Sequence, residues 1–374
     1  MSSPSRPIYL DHNATTPVLP EVLEAMLPFF SRTFGNAGSS HAYGEDPRRA
    51  VALAREQVAG ILNAHPDEIH FTSGGVEANS LAIKGIAALS KRRQIVTSTV
   101  EHPATVNPCW DLEHEGWTIH RTPVDEVGRL RIEDAAISDA TALVTVMHAN
   151  NETGTLQPIE TLSALAREVG ALVHTDAAQS VGKVSVDVEL LGVDLLSLVG
   201  HKIYAPKGIG ALFVRRGTPI APTLFGSSPE AGLRPGTLNI PSIVGLGMAC
   251  EIAQRDLAQE STRLRSLRDA LWKGLQERIP GIRWNGSTEQ GLPNTLNVSF
   301  PGRFAQNLLD RMPGIAASVG AACHAGETRP SQVLLAMGLT EAEALGSLRF
   351  SVGKLVKDTD ITSALEQIVS VWCT

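Results

Sequence analysis

The chain has 374 residues, 43% hydrophobic and 19% charged, with a formal net charge of −7. That balance describes a globular chain long enough for two domains and a sizeable core, and it excludes intrinsic disorder. There is no long Lys/Arg run and no apolar run long enough to span a bilayer, so neither nucleic acid nor a membrane is expected as a partner. The opening residues, MSSPSRPIYLDHN, lack an apolar signal core, and a cytoplasmic protein is expected. The cysteines at 109, 250, 323 and 373 are far apart and show no CxxC spacing, so neither a metal site nor a disulfide framework is expected. Cys109, Cys250 and Cys373 read as small hydrophobes.

In chain order, Ile8 to Pro17 is a short apolar run ending in a polar turn, and Val18, Val22, Met26 and Phe29 follow at helical spacing. Residues 35–41 read as a loop, either a surface turn or the rim of a site. Residues 48–63 have an amphipathic helix pattern, with Val51, Ala54, Val58 and Ile61 on one face. Residues 68–84 read as strand, Ser-Gly-Gly turn and helix, and the start of such a helix can cradle an anion. Three apolar strands then end in polar residues: 94–102 at His102, 143–154 at an Asn-Asn-Glu cluster, and 171–179 at Asp176 and Gln179.

The fourth case is Val193 to Lys202, a buried parallel strand broken by Gly200, with His201 and Lys202 at its carboxyl end. Any one ending could be a helix cap or a structural histidine. Four in series, with helices between them, point to a doubly wound α/β sheet with one active face. Residues 211–215 form another strand, and 233–239 a polar turn. From about residue 255 a long charged helix carries Leu257, Leu264, Leu267, Leu271 and Leu275 on one face. Beyond it come a strand at 295–300, a loop at 318–330, a capping box at Thr340 and Glu343, a strand at 348–352 and a last amphipathic helix. The expected division is a large α/β domain over 16–255 and a smaller α+β domain over 256–374, with 1–15 packed on it.

A lysine at a strand end beside apolar walls can lose its proton and attack a carbonyl. Lys202 therefore suits an imine with pyridoxal 5'-phosphate, and the other demands of that cofactor have candidates too. Asp176 would pair with the ring nitrogen, His102 would stack on the ring, and Gln179 would donate to the phenolic oxygen. Backbone N–H groups of Gly75 and Val76, with His201 and Thr237, would meet the phosphate. Arg349 would grip a substrate carboxylate bidentately, unless it is a surface salt bridge. Cys323 sits among small residues with His324 beside it, which suits a mobile thiolate that attacks sulfur or selenium.

These stretches together resemble the NifS/IscS-like cysteine desulfurases of the class V aminotransferase superfamily. The matching segments are YLDHNATTP, FTSGGVEANSLAIKG, EHPA, ANNETG, HTDAAQ, GHKIYAPKGIGAL, RPGTLN, LPNTLNVSF, GAACHAG and LRFSVG, from residue 9 to about 353. The resemblance implies a fold-type I enzyme with a mainly parallel seven-stranded sheet, working as a homodimer in which Thr237 completes the partner's site. It implies that Asn151 joins Arg349 on the substrate carboxylate, and that Cys323 takes sulfur from L-cysteine as a persulfide for an acceptor protein such as an iron–sulfur scaffold, leaving alanine. Three positions depart from the family pattern: Val76 stands in place of Thr, Val199 in place of Ser, and Ser227-Ser-Pro-Glu230 in place of Gly-Gly-His/Gln-Glu. Val199, SVGAACH, PSQVLL and RPGT are similar to selenocysteine lyases, which leaves L-selenocysteine as the alternative substrate and another class V activity as a third reading.

Overall fold

The structure is a computed structural model that describes residues 6–227, 229–319, 321–324 and 327–374, with the backbone alone for 321–324 and 327–328. Its centre is a seven-stranded sheet in the order Ile69–Thr72, Gly210–Val214, Leu195–Val199, Leu172–Asp176, Thr141–Thr145, Gln94–Ser98 and Thr118–Thr122. All neighbours are parallel except Gly210–Val214, which runs antiparallel to the strand on either side. Successive residues face opposite sides of a strand. Leu195, Leu143, Ile95 and Leu212 accordingly enter the core under the helix Gly75–Leu89, while Leu196, Val144, Val96 and Phe213 enter the core under Ala42–Leu62. The strand Thr118–Thr122 escaped the sequence reading because it is an edge strand and only Ile119 and Thr122 are buried.

A second body surrounds the four-stranded antiparallel sheet Ser318–Val319, Ser347–Ser351, Thr295–Ser299 and Arg283–Trp284. Ile8–Tyr9 pairs in parallel with Ile315–Ala316 on its flank. One helix, Ile240–Arg278, serves both bodies and spans about 58 Å at 1.5 Å per residue. Ile243, Leu246 and Ile252 pack into the large core, and Leu264, Leu271 and Leu275 into the small one. The sequence texture changes near 255 because the helix changes partners there, not because a new helix begins.

Other expectations shift in detail. The pattern over 18–31 resolves into two short helices, Pro20–Met26 and Pro28–Ser31. The 48–63 pattern starts earlier, at Ala42, and runs through Pro47 to a left-handed cap at Asn63. Part of the expected 318–330 loop is a hairpin, Ala321–His324 paired with Glu327–Pro330, with Cys323 opposite Thr328. Cys109 and Cys250 are buried as expected of small hydrophobes, whereas Cys373 is exposed at the end of the last helix.

Candidate active site

Leu195–Val199, Leu172–Asp176, Thr141–Thr145 and Gln94–Ser98 are adjacent and parallel, so their carboxyl ends form a row. This is where open α/β sheets bind ligands. A cavity of about 370 Å³ opens there, lined by Gly75, Val76, His102, Asn151, Asp176, Gln179, His201, Lys202 and Arg349. It is within the usual range for small-molecule sites. Of the expected cofactor and substrate ligands, Thr237 alone stays outside. It lines a separate opening with Asn36, Gly38, Arg48 and Arg55. The Cys323 thiol lies outside the described residues.

Lys202 ends a tight turn, Gly200–Lys202, that only glycine can start: a Cβ on Gly200 would sit 2.8 Å from Ile209 Cγ2. The amine donates to the carbonyls of Asn13 at 2.5 Å and Ala14 at 2.7 Å. Burial, with the Arg349 charge adding, lowers its pKa to about 8, against the pull of Asp11 and Asp176. Asp176 is clamped by Asn79 Nδ2 at 2.7 Å and the Ala178 N–H at 2.9 Å. His102 caps the helix Pro103–His114, its Nδ1 accepting from the Ala104 N–H at 3.1 Å. The ring proton is therefore on Nε2 in the neutral form. Desolvation lowers the His102 pKa, with Asp176 opposing and Lys202 adding. Behind the row, the buried Glu101 carboxylate accepts from the Met147 N–H and Ser98 Oγ, and burial raises its pKa to about 8.

Arg349 is buried rather than at the surface, which removes the surface-salt-bridge reading. It donates to the Asn151 carbonyl at 2.8 Å, Asp11 Oδ1 at 2.7 Å and Ser318 Oγ at 2.9 Å. Its Nε is buried with no partner among the described residues. Arg349 lines the cavity, where a guanidinium is suited to an incoming carboxylate.

Residues around the cavity fit pyridoxal phosphate. The helix Gly75–Leu89 starts with N–H groups that have no intrahelical acceptor. A Cβ at Gly75 would meet Val199 Cγ2 at 2.8 Å, so only a bare backbone reaches this cradle. His201, held by Thr15, and Lys207 line the adjoining opening and suit a phosphate. Val76 is exposed and Val199 is packed on the cradle, so neither supplies a hydroxyl there.

Sequence reasoning missed Asn13 and Lys183. Asn13 lies in the YLDHNATTP segment without an assigned task, yet it is 1% exposed and lines the cavity. Lys183 is also buried, and its position four residues after Gln179, one helical turn on, was the available signal.

This mainly parallel seven-stranded sheet, with a lysine and a carboxylate at its strand ends, is that of a fold-type I pyridoxal-phosphate enzyme. The chain belongs to the family described as aminotransferase class-V, whose model matches residues 8–363. It is 47% identical over 368 residues to a cysteine desulfurase of Gluconacetobacter diazotrophicus, covering 96% of this chain and 92% of that one. It is 44% identical to the cysteine desulfurase NifS of Azotobacter vinelandii, covering 96% and 91%. A solved NifS-like protein superposes with a TM-score of 0.92 at 35% identity, covering 98% of this chain and 99% of that one. These relatives favour cysteine over selenocysteine as the point of comparison.

Proposed function

We propose that the protein is a pyridoxal-phosphate-dependent cysteine desulfurase that converts L-cysteine to L-alanine and passes the sulfur on from Cys323. The observation that carries this reading is the convergence of Lys202, Asp176, His102 and Arg349 on one cavity. Bound pyridoxal phosphate supplies an electron sink for charge left at the substrate's α-carbon. Lys202 would hold the cofactor covalently, and its lowered pKa keeps part of its population able to move a proton near neutrality. Asp176 would hold the ring nitrogen's proton, and His102 and Gln179 would fix the ring. Gly75, Val76 and His201 would take the phosphate. Arg349 and Asn151 would orient the substrate carboxylate. The Cys323 thiolate would attack the substrate sulfur: an S–S bond forms as the C–S bond breaks, and the carbon skeleton leaves protonated as alanine.

Homodimerisation belongs to the same proposal. Thr237 is exposed outside its own chain's cavity, and Leu27, Phe30, Phe34, Tyr43 and Phe225 are exposed apolar residues available to a second copy. A sulfur acceptor, cytoplasmic residence and division near residue 255 complete the reading. The change of core partner along the helix Ile240–Arg278 supports that division. Among the described residues no helix is long and apolar enough to cross a membrane.

The test is to incubate purified protein, pyridoxal phosphate, L-cysteine and a thiol reductant, and to measure alanine and sulfide. Holoenzyme that forms neither refutes the proposal. Cys323→Ala should keep the cofactor's absorbance and lose at least about a hundredfold in alanine release, as removal of a nucleophile does. Full turnover in that variant would remove the thiol from the mechanism.

A further inference from the structure

Lys183 has no task in the reading above. It is 6% exposed, and its Nζ donates to Gln179 Oε1 at 2.9 Å and Asn13 Oδ1 at 3.3 Å. Both acceptors are neutral amides, and no carboxylate pairs with this lysine among the described residues. Burying an amine for two neutral bonds is costly where an apolar side chain of the same length would pack. Burial, Lys202 and Arg349 all press its pKa well down. Two N–H groups remain whether the amine is charged or neutral, so both bonds survive deprotonation.

The pair of bonds gives direction. A glutamine amide has two orientations that differ by exchange of oxygen and nitrogen. Lys183 donates to one end of the Gln179 amide, and the Asn13 carbonyl accepts from the other at 3.0 Å. A flipped amide would set oxygen against a carbonyl and N–H against a donor, losing both contacts. The fixed orientation leaves the second Nε2 hydrogen free, and Gln179 lines the cavity.

Asn13 cannot turn either, because its hydrogen-bonding capacity is full. Its N–H donates to Ser351 Oγ, and its carbonyl accepts from Gln179 and Lys202. Its Oδ1 accepts from Lys183 and Asn294, and its Nδ2 donates to Thr295 Oγ1 and the Asn151 carbonyl. The surrounding charged and titratable groups are Lys202 and Arg349, His12 and His201, Asp176 and His102 lining the cavity, and Tyr204, Asp256, Glu260 and Lys354 lining a smaller cavity that Lys183 also borders. Among them only Lys202 shares a hydrogen-bond partner with the pair, the Asn13 carbonyl.

We propose that Lys183 is a positioning residue that, through Gln179, keeps an N–H donor aimed at the phenolic oxygen of bound pyridoxal phosphate and so sets the pH at which the bound cofactor titrates. This rests on the cofactor reading above. A donor aimed at an anionic oxygen stabilises the ionised form. Without it the neighbouring proton is held more tightly, and the titration midpoint rises.

The experiment is a pH titration of the absorbance band in wild-type holoenzyme, Lys183→Met, Gln179→Ala and the double variant, with thermal melting in parallel. Both single variants should raise the midpoint by about one pH unit, the size expected for a hydrogen bond to a charged group. The double variant should match Gln179→Ala, because the lysine acts through the glutamine. Lys183→Ala replaces the methionine variant if the latter does not fold, with the same rise expected. A wild-type midpoint in the lysine variant, even with a lowered Tm, overturns the proposal, as does a double variant in which the two shifts add in full. Wild-type protein with no cofactor band overturns the cofactor reading and this proposal with it. A normal wild-type band with no response to Lys183 overturns this proposal alone.

Discussion

The two walls of the cavity are built differently. On the large core, His102, Asp176 and Lys202 end or follow parallel strands of one sheet: His102 caps its own helix, Asp176 is clamped by Asn79 and the Ala178 N–H, and Lys202 ends a glycine turn. On the small core, Arg349 belongs to an antiparallel strand and is set by long-range partners, Asp11 and the Asn151 carbonyl. On the first wall Asp176 and Lys202 are hydrogen-bonded within the protein, whereas on the second Arg349 Nε is buried without a partner among the described residues. A cofactor that stays bound suits the first, and a substrate that comes and goes suits the second.

Substitutions on each wall should separate those roles. Lys202→Ala should abolish the pyridoxyl adduct found by mass spectrometry after borohydride treatment and lower alanine release by about a thousandfold or more. An adduct on another lysine would break the comparison. On the opposite wall, Arg349→Lys loses the planar fork and should raise KM for L-cysteine by about ten- to a hundredfold, with the cofactor spectrum unchanged. A changed spectrum with a normal KM would assign this arginine to the cofactor instead.

The pH dependence of cofactor capture sharpens the point further. The free amine is the nucleophile, so the rate at which apoenzyme recombines with pyridoxal phosphate should rise with pH and level off above about 8, where Lys202 has lost its proton. A rate still climbing near the ordinary lysine pKa of about 10.4 would mean that the wall does not tune its amine. The smallest effect is expected at the cradle. Val76→Thr adds a hydroxyl to the helix start and should lower the Kd for the cofactor by roughly three- to tenfold, the value of one added hydrogen bond.

The first wall was legible in the sequence because each of its residues follows a buried apolar run that stops in a polar or glycine-rich turn. Period and punctuation are local signals, and His102, Asp176 and Lys202 could be read from them. The second wall was legible only in part. Arg349 stood out inside an apolar strand, but its partner Asp11 lies 338 positions away. Asn13 looked like one more polar turn residue because its partners are spread over five distant segments. Lys183 was passed over because a lysine one helical turn beyond a glutamine usually faces solvent. Small residues made 318–330 read as loop throughout, although cross-strand pairing forms a hairpin in part of it.

Asn13 is translated early, whereas Asn294, Thr295 and Ser351, which hold it, emerge from the ribosome 281, 282 and 338 positions later. The strand-end wall can form on a nascent chain, but the keystone beside Lys202 cannot lock until synthesis is nearly finished. A prematurely terminated chain would therefore carry Lys202 without the frame that holds Asn13 beside it.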